Sequence, residues 1–145
     1  MIIFDLDGTL ALDHHRSDLL RQEPKDWEGY FRACEKDEPC HPLLDLVNDL
    51  HSSGNTLGLW SGRSRMVESE TMRWLIRYGI HSLFDQIRLR DEHDRTADTE
   101  LKLSWLREQQ TTLDPVTLVF EDRKRVVDMW RAQGIICCQV APGDF

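Results

Sequence analysis

Hydrophobic and polar positions alternate along this chain on two different periods. Short apolar runs at Ile2–Phe4, Thr56–Trp60, Gln86–Arg90, Val116–Phe120 and Ile135–Val140 are rich in Ile, Val, Leu and aromatic residues. Turn-forming residues bound them, as expected of strands. Between the runs, apolar residues recur on helical spacing. Pro42 opens one helix at a first-turn position, Leu43, Leu46, Val47 and Leu50 share its inner face, and Gly54 ends it. A second helix starts near Ser64, carries Val67, Thr71, Trp74, Leu75 and Tyr78, and stops at Gly79. A third begins around Asp98 and carries Leu101, Trp105 and Leu106. A fourth follows Asp122, carries Val126, Val127, Met129 and Trp130, and ends at Gly134. Strands alternating with amphipathic helices predict an α/β fold, a five-stranded, mostly parallel sheet covered by helices on both faces.

Residues 11–41 interrupt this alternation. They hold charged residues, Pro24, Pro39 and the aromatic set Trp27, Tyr30 and Phe31 at i, i+3 and i+4. A structureless connection of that length is uncommon inside a compact domain. The segment is therefore expected to be a small helical insert over the C-terminal edge of the sheet, where ligands of open α/β sheets bind, and to act there as a lid. Its aromatics are expected to form the buried face of their own short helix, in preference to a base-stacking surface.

Composition narrows the picture. The chain has 145 residues, enough for one domain with a real core, and its 40% hydrophobic and 30% charged content is that of an ordinary globular protein. No apolar run reaches the length of a membrane span, and Met1–Phe4 is too short for a signal peptide, so a cytoplasmic location is expected. Cys34, Cys40, Cys137 and Cys138 form no C-x-x-C pair and are expected to be reduced, buried thiols. The net charge of −8 argues against a long, sequence-independent nucleic-acid groove. Fourteen of the eighteen basic residues are arginine, which suits local bidentate contacts to phosphate.

The chemistry lies at four polar stations. Asp5 and Asp7 follow the first strand, Ser61-Gly62-Arg63 follows the second, Lys102 sits in the third helix, and Glu121-Asp122 follows the fourth strand. Two carboxylates as close as Asp5 and Asp7 repel and need a compensating cation. Asp5 and Asp122 on adjacent strand ends, with a carbonyl of Leu6 or Asp7 nearby, would make a hard oxygen site suited to Mg²⁺. That ion would also neutralise a substrate phosphate, so that Asp5 can attack it as a nucleophile. Asp7, displaced by the Gly8 turn, is placed to act as general acid and base. Ser61, the Gly62 amide and Lys102 would hold the phosphoryl oxygens. The run Arg123-Lys124-Arg125 is expected to be solvated for at least two of its three members. His14 and His15 are not expected to bind metal.

Asp-Leu-Asp-Gly-Thr after an N-terminal apolar strand, followed in order by Ser-Gly-Arg, a lysine and an acidic pair, resembles the haloacid dehalogenase (HAD) superfamily of phosphotransferases. The resemblance implies a Rossmann-like HAD core with strand order 5-4-1-2-3, an aspartyl-phosphate mechanism and Mg²⁺ as cofactor. It implies metal ligation by Asp5, Asp7 and Asp122, with Glu121 as a supporting partner behind them. A closer likeness covers nearly the whole chain. His15-Arg16, Asp26-Trp27, Asp37-x-Pro39, Trp60-Ser61-Gly62-Arg63, Thr71-x-x-Trp74-Leu75, Arg90 with Asp98-x-x-x-Lys102, Val127-Asp128-Met129-Trp130-Arg131 and the tail Gln139 to Phe145 are similar to the 3′-phosphatase domain of bacteriophage polynucleotide kinases. This implies release of a 3′-phosphate from a DNA or RNA end or a nucleotide, a bacteriophage origin, and a cap formed by the insert. It also implies that Arg63, Arg90 and Arg95, with Thr9 and Gly62, contact the substrate. The phosphate-binding G-x-x-x-x-G-K-[ST] loop of the kinase half is not among these residues, so no kinase activity is expected of them. Two alternatives stand beside this reading: a 5′-nucleotidase on free mononucleotides, and a non-catalytic nucleotide-binding protein of the same fold.

Overall fold

The computed structural model describes residues 1–143; Asp144 and Phe145, the last two residues of the tail motif, lie outside the described residues. Along the chain the elements run β1 (Ile2–Phe4), β2 (Ala11–Leu12), α1 (Trp27–Arg32), β3 (Glu38–Pro39), α2 (His41–Ser52), β4 (Leu57–Ser64), α3 (Glu68–Arg77), β5 (Gln86–Arg90), α4 (Asp98–Gln109), β6 (Leu118–Arg123), α5 (Lys124–Ala132) and β7 (Ile136–Gly143). Five strands form one sheet in the order β5-β4-β1-β6-β7, every pairing parallel. Counted over the core strands alone, this is the 5-4-1-2-3 order.

The central strand shows how the sequence selects this arrangement. Ile2, Ile3 and Phe4 are all buried, but successive side chains leave a strand on opposite faces. Ile2 and Phe4 enter one core with Leu44 and Val47 of α2 and Trp74 and Leu75 of α3. Ile3 enters the other with Trp60, Val119, and Val126, Val127 and Trp130, the last three from α5. Each such side chain contributes about 1.5–3 kcal/mol on full burial. A strand flanked by two cores must be apolar at every position, which is why it reads as an unbroken hydrophobic run. Helices α2, α3 and α5 each end two residues before Gly54, Gly79 and Gly134.

Two strands run further than their apolar content indicates. β4 continues through Ser61–Ser64 and β6 through Glu121–Arg123, and the pairing register shifts within both extensions. Such irregularities turn side chains away from the regular in-and-out alternation. Here they lie at the sheet's C-terminal edge, among the polar stations.

Residues 11–41 return to their starting point. β2 and β3 pair antiparallel, Ala11 with Pro39 and Leu12 with Glu38, and pin the two ends of the segment together. Between them lie α1 and two 3-10 turns, His14–Leu20 and Ala33–Lys36. The Asp26 carboxylate caps α1 by accepting from the Gly29 amide at 2.8 Å. The Trp74 indole N–H donates to the Asp37 carbonyl at 2.8 Å, tying the segment to α3. All four cysteines are free thiols; the expectation that they are buried holds for Cys34 and Cys137, whereas Cys40 is half-buried and Cys138 is exposed. Cys138 alternates with buried Cys137 on edge strand β7, so it faces outward. No helix among the described residues is long and apolar enough to cross a membrane.

Candidate active site

Asp5 directly follows β1, and its amide donates to the Phe120 carbonyl at 3.0 Å, which fixes its backbone beside β6. A tight turn comes next, with the Thr9 and Ala11 amides both donating to the Leu6 carbonyl at 3.2 and 2.8 Å. Gly8 sits in it at φ +81°, and any side chain there would run into the Asp122 carboxylate. The turn therefore brings the main chain at Gly8 directly against Asp122.

Carboxylate oxygens of Asp5, Glu121 and Asp122 all lie within 4.8 Å of one another, and all three residues are buried. The Lys102 ammonium, delivered by α4, donates to Asp5 Oδ1 at 2.6 Å and to Glu121 Oε2 at 2.7 Å. One ammonium bonded directly among three carboxylates, with the nearby Arg123 guanidinium shared with Asp98, leaves an excess of negative charge. Burial and the charge of Glu121 push the Asp5 carboxyl well above its ordinary value, with Lys102 opposing. Burial and Glu121 likewise raise Asp122 to about 7. An all-oxygen, over-charged group of this size fits a hard divalent cation such as Mg²⁺. Glu121, expected behind the metal ligands, stands in this group itself.

Asp7, expected among the ligands, directs its carboxylate elsewhere. Arg16 Nη2 donates to Asp7 Oδ1 at 2.5 Å, and Arg63 Nη2 donates to the same oxygen. Both guanidinium groups also hold Asp37. Arg16 Nε and Nη2 reach its two carboxylate oxygens at 2.7 and 2.5 Å, and Arg63 Nη2 reaches Oδ2 at 3.0 Å. His15 Nε2 lies 2.9 Å from Asp37 Oδ1. Two acids face two guanidinium groups, so this cluster is balanced where its neighbour is not. Burial alone would raise the Asp7 carboxyl, but Arg63 and Arg16 hold it well below the usual carboxylate range.

A third network shapes the wall. The Arg63 amide donates to Ser61 Oγ at 3.2 Å. Arg90 donates from Nε to the Gly62 carbonyl at 3.0 Å, from Nη1 to the Thr96 carbonyl at 2.5 Å, and from Nη2 to Asp98. Arg90 thus braces the Ser61–Arg63 segment, and a substrate phosphate would compete with these bonds. Asp98 also accepts from Arg123, with Arg125 3.6 Å away. Burial opposes its ionisation, but Arg123 and Lys102 hold the Asp98 carboxyl below its ordinary value. Arg95 is exposed and donates to the Glu92 carbonyl at 3.1 Å. The Thr9 hydroxyl is buried and has no hydrogen-bond partner among the described residues.

One cleft of about 790 Å³ is lined by residues of every station, Asp5 and Asp7, Ser61 to Arg63, Lys102 and Glu121, together with residues of α1 and residues 92–99; Asp122 sits behind Asp5 and Glu121 and does not itself line it. Sequence reasoning did not select Arg16, Asp37, Asp98 or Arg123 as site residues. Arg16, Asp37 and Asp98 do occur in the quoted motifs. Arg123 lay in the run expected to be mostly solvated, which holds for Lys124 and Arg125 but not for Arg123.

The family model for the polynucleotide kinase PNKP phosphatase domain matches residues 1–145. A chain in the structure of a Pnkp1/Rnl/Hen1 complex is 30% identical over 99% of this chain and 46% of its own, with a TM-score of 0.79. A chain in a Pnkp1/Rnl/Hen1 RNA repair complex is 29% identical over 99% of this chain and 43% of its own, with a TM-score of 0.82. The present chain thus spans less than half the length of either. A hydrolase from Streptococcus pneumoniae TIGR4 shares the fold at 18% identity, over 97% of this chain and 91% of its own, with a TM-score of 0.65.

Proposed function

This chain belongs to the polynucleotide kinase PNKP phosphatase-domain family and is a HAD-type phosphatase, and we propose that it removes the 3′-phosphate from a DNA or RNA end. The observation that carries the proposal is the position of Asp5. Asp5 lines the cleft, its carboxylate bonded to Lys102 and grouped with Glu121 and Asp122, and Asp7 lines the same cleft.

Asp5 attacks the phosphorus of the monoester, and the bond from phosphorus to the leaving sugar oxygen breaks as Asp7 gives that oxygen a proton. Water then attacks the phosphorus of the aspartyl-phosphate, Asp7 takes its proton, and inorganic phosphate leaves with Asp5 restored. Ser61, the Gly62 amide and Lys102 hold the phosphoryl oxygens. Asp5, Asp122 and the Asp7 carbonyl would hold Mg²⁺, with Glu121 beside them. Bound Mg²⁺ supplies the positive charge that lets an anionic carboxylate approach an anionic phosphate. Of the two guanidinium groups that keep Asp7 ionised, Arg63 lines the cleft and is the one an arriving phosphate draws on. Once Arg63 is shared with that phosphate, its grip on Asp7 weakens and the phosphate's charge raises the Asp7 carboxyl, which is how Asp7 comes to carry a proton.

Residues 11–41 serve as a cap over this cleft in the proposal. The test is phosphate release from a 3′-phosphorylated oligonucleotide beside 3′- and 5′-mononucleotides, each with the wild type and D5N. The expected result is preference for the oligonucleotide and a loss of at least about 1,000-fold in D5N with the fold intact. Preference for 5′-mononucleotides would replace the substrate assignment. Turnover retained by D5N would overturn the mechanism.

A further inference from the structure

The cap helix α1 places its three aromatics in three different environments. Tyr30 is buried, 2% exposed, and its hydroxyl donates to Asp13 Oδ2 at 2.5 Å. The Arg16 guanidinium lies 4.0 Å from the centre of the Tyr30 ring, and its Nη1 donates to the Tyr30 carbonyl at 3.1 Å. The same guanidinium holds Asp7. Tyr30 therefore ties the helix to the reacting groups. Phe31 is half-buried, and Trp27 is 44% exposed. The Trp27 ring packs nearly perpendicular to Tyr30, 83° at 6.2 Å, and stands 6.0 Å from Phe31. Trp27 and Phe31 line the same cleft as Asp5 and Lys102. The expectation that all three aromatics form a buried face is thus met by Tyr30 and not by Trp27.

A lone exposed tryptophan needs no explanation. This one is held against an anchored tyrosine at the side of a cleft far larger than a phosphate group requires. Lys25 lies 5.9 Å from its ring, and exposed Arg95 and Arg125 also line the cleft, alongside the acidic Asp26, Glu28, Glu92 and Asp94. Aromatic faces set among cations are the composition that receives single-stranded nucleic acid, because every base offers a π-face for stacking. We infer that Trp27, backed by Phe31 and Tyr30, is a stacking platform for the terminal nucleobase of the phosphorylated end. This rests on the phosphatase reading above and deepens it. The enzyme would read the end as a nucleotide with its base, and not as a bare phosphoester.

The test compares kcat/KM on two otherwise identical 3′-phosphorylated oligonucleotides, one ending in a base-bearing nucleotide and one in an abasic sugar. Wild type is expected to favour the base-bearing end by about 5- to 150-fold, the contribution of one stacked base. W27A should lose that preference, mainly through KM. W27F should keep most of it, whereas W27L should lose it, because leucine restores apolar bulk without an aromatic face. An unchanged preference in W27A, or a W27L variant equal to W27F, would overturn the platform. Equal use of both ends by wild type would refute the platform alone and leave the phosphatase reading standing. Release of phosphate from neither end would sink the phosphatase reading and the platform with it.

Discussion

Replacing Lys102 by methionine isolates the electrostatics of the site, because methionine keeps the length and apolar stem while deleting the charge. Lys102 is 4% exposed and is bonded to Asp5 at 2.6 Å and Glu121 at 2.7 Å, with Asp122 in the same group. Its removal leaves three buried carboxylates without that counter-ion. Deleting one partner of a buried ion pair costs about 3–5 kcal/mol. For a domain of this size that is a fall of about 6–20 °C in Tm. The assay is thermal unfolding of wild type and K102M in chelator and in Mg²⁺. It is best run at mildly alkaline pH, because burial and Glu121 raise both the Asp5 and the Asp122 carboxyls and deleting Lys102 raises them further. In chelator K102M should be the less stable by that margin. In Mg²⁺ it should regain more than the wild type gains, because its carboxylates attract the ion without competition from the ammonium. A loss below about 1 kcal/mol in chelator, or equal Mg²⁺-dependent gains in both proteins, would refute the reasoning.

Two further perturbations follow from the same geometry. R63A leaves Arg16 as the one guanidinium bonded to Asp7 and Asp37; it should cost about 3–5 kcal/mol in urea unfolding and lower kcat for the oligonucleotide. Gly8→Ala forces a side chain into φ +81° and against the Asp122 carboxylate. It should destabilise the fold by about 1–2 kcal/mol and weaken the Mg²⁺-dependent rise in Tm.

The parts of this molecule legible in its sequence are those with a period or a fixed order. β1 is apolar at every position because both its faces meet a core, and the helices show one face each. The four stations could be read because each follows a strand or sits near the start of a helix that leaves the same sheet edge. What stayed hidden has neither property. The extensions of β4 through Ser61–Ser64 and β6 through Glu121–Arg123 are polar, so no hydrophobic run marks them. Arg16, Asp37 and Arg63 lie 21 and 26 residues apart along the chain, and ion pairs across such gaps follow no spacing rule. They converge because β2 and β3 close the insert on itself, a contact of only two residue pairs. In a helix as short as α1, the i, i+3, i+4 pattern identifies a cluster without saying which ring meets the core and which meets the cleft.

In the proposed mechanism Asp5 becomes a covalent carrier of phosphate, and that can be observed directly. Wild-type protein turning over a 3′-phosphorylated oligonucleotide in Mg²⁺ is quenched with borohydride, which reduces an aspartyl-phosphate to homoserine, and the peptide containing residue 5 is analysed by mass spectrometry. Homoserine at position 5, absent when substrate is omitted and absent in D5N, is the predicted result. Efficient release of phosphate with only unmodified aspartate at position 5, or with the modification on another carboxylate, would contradict it.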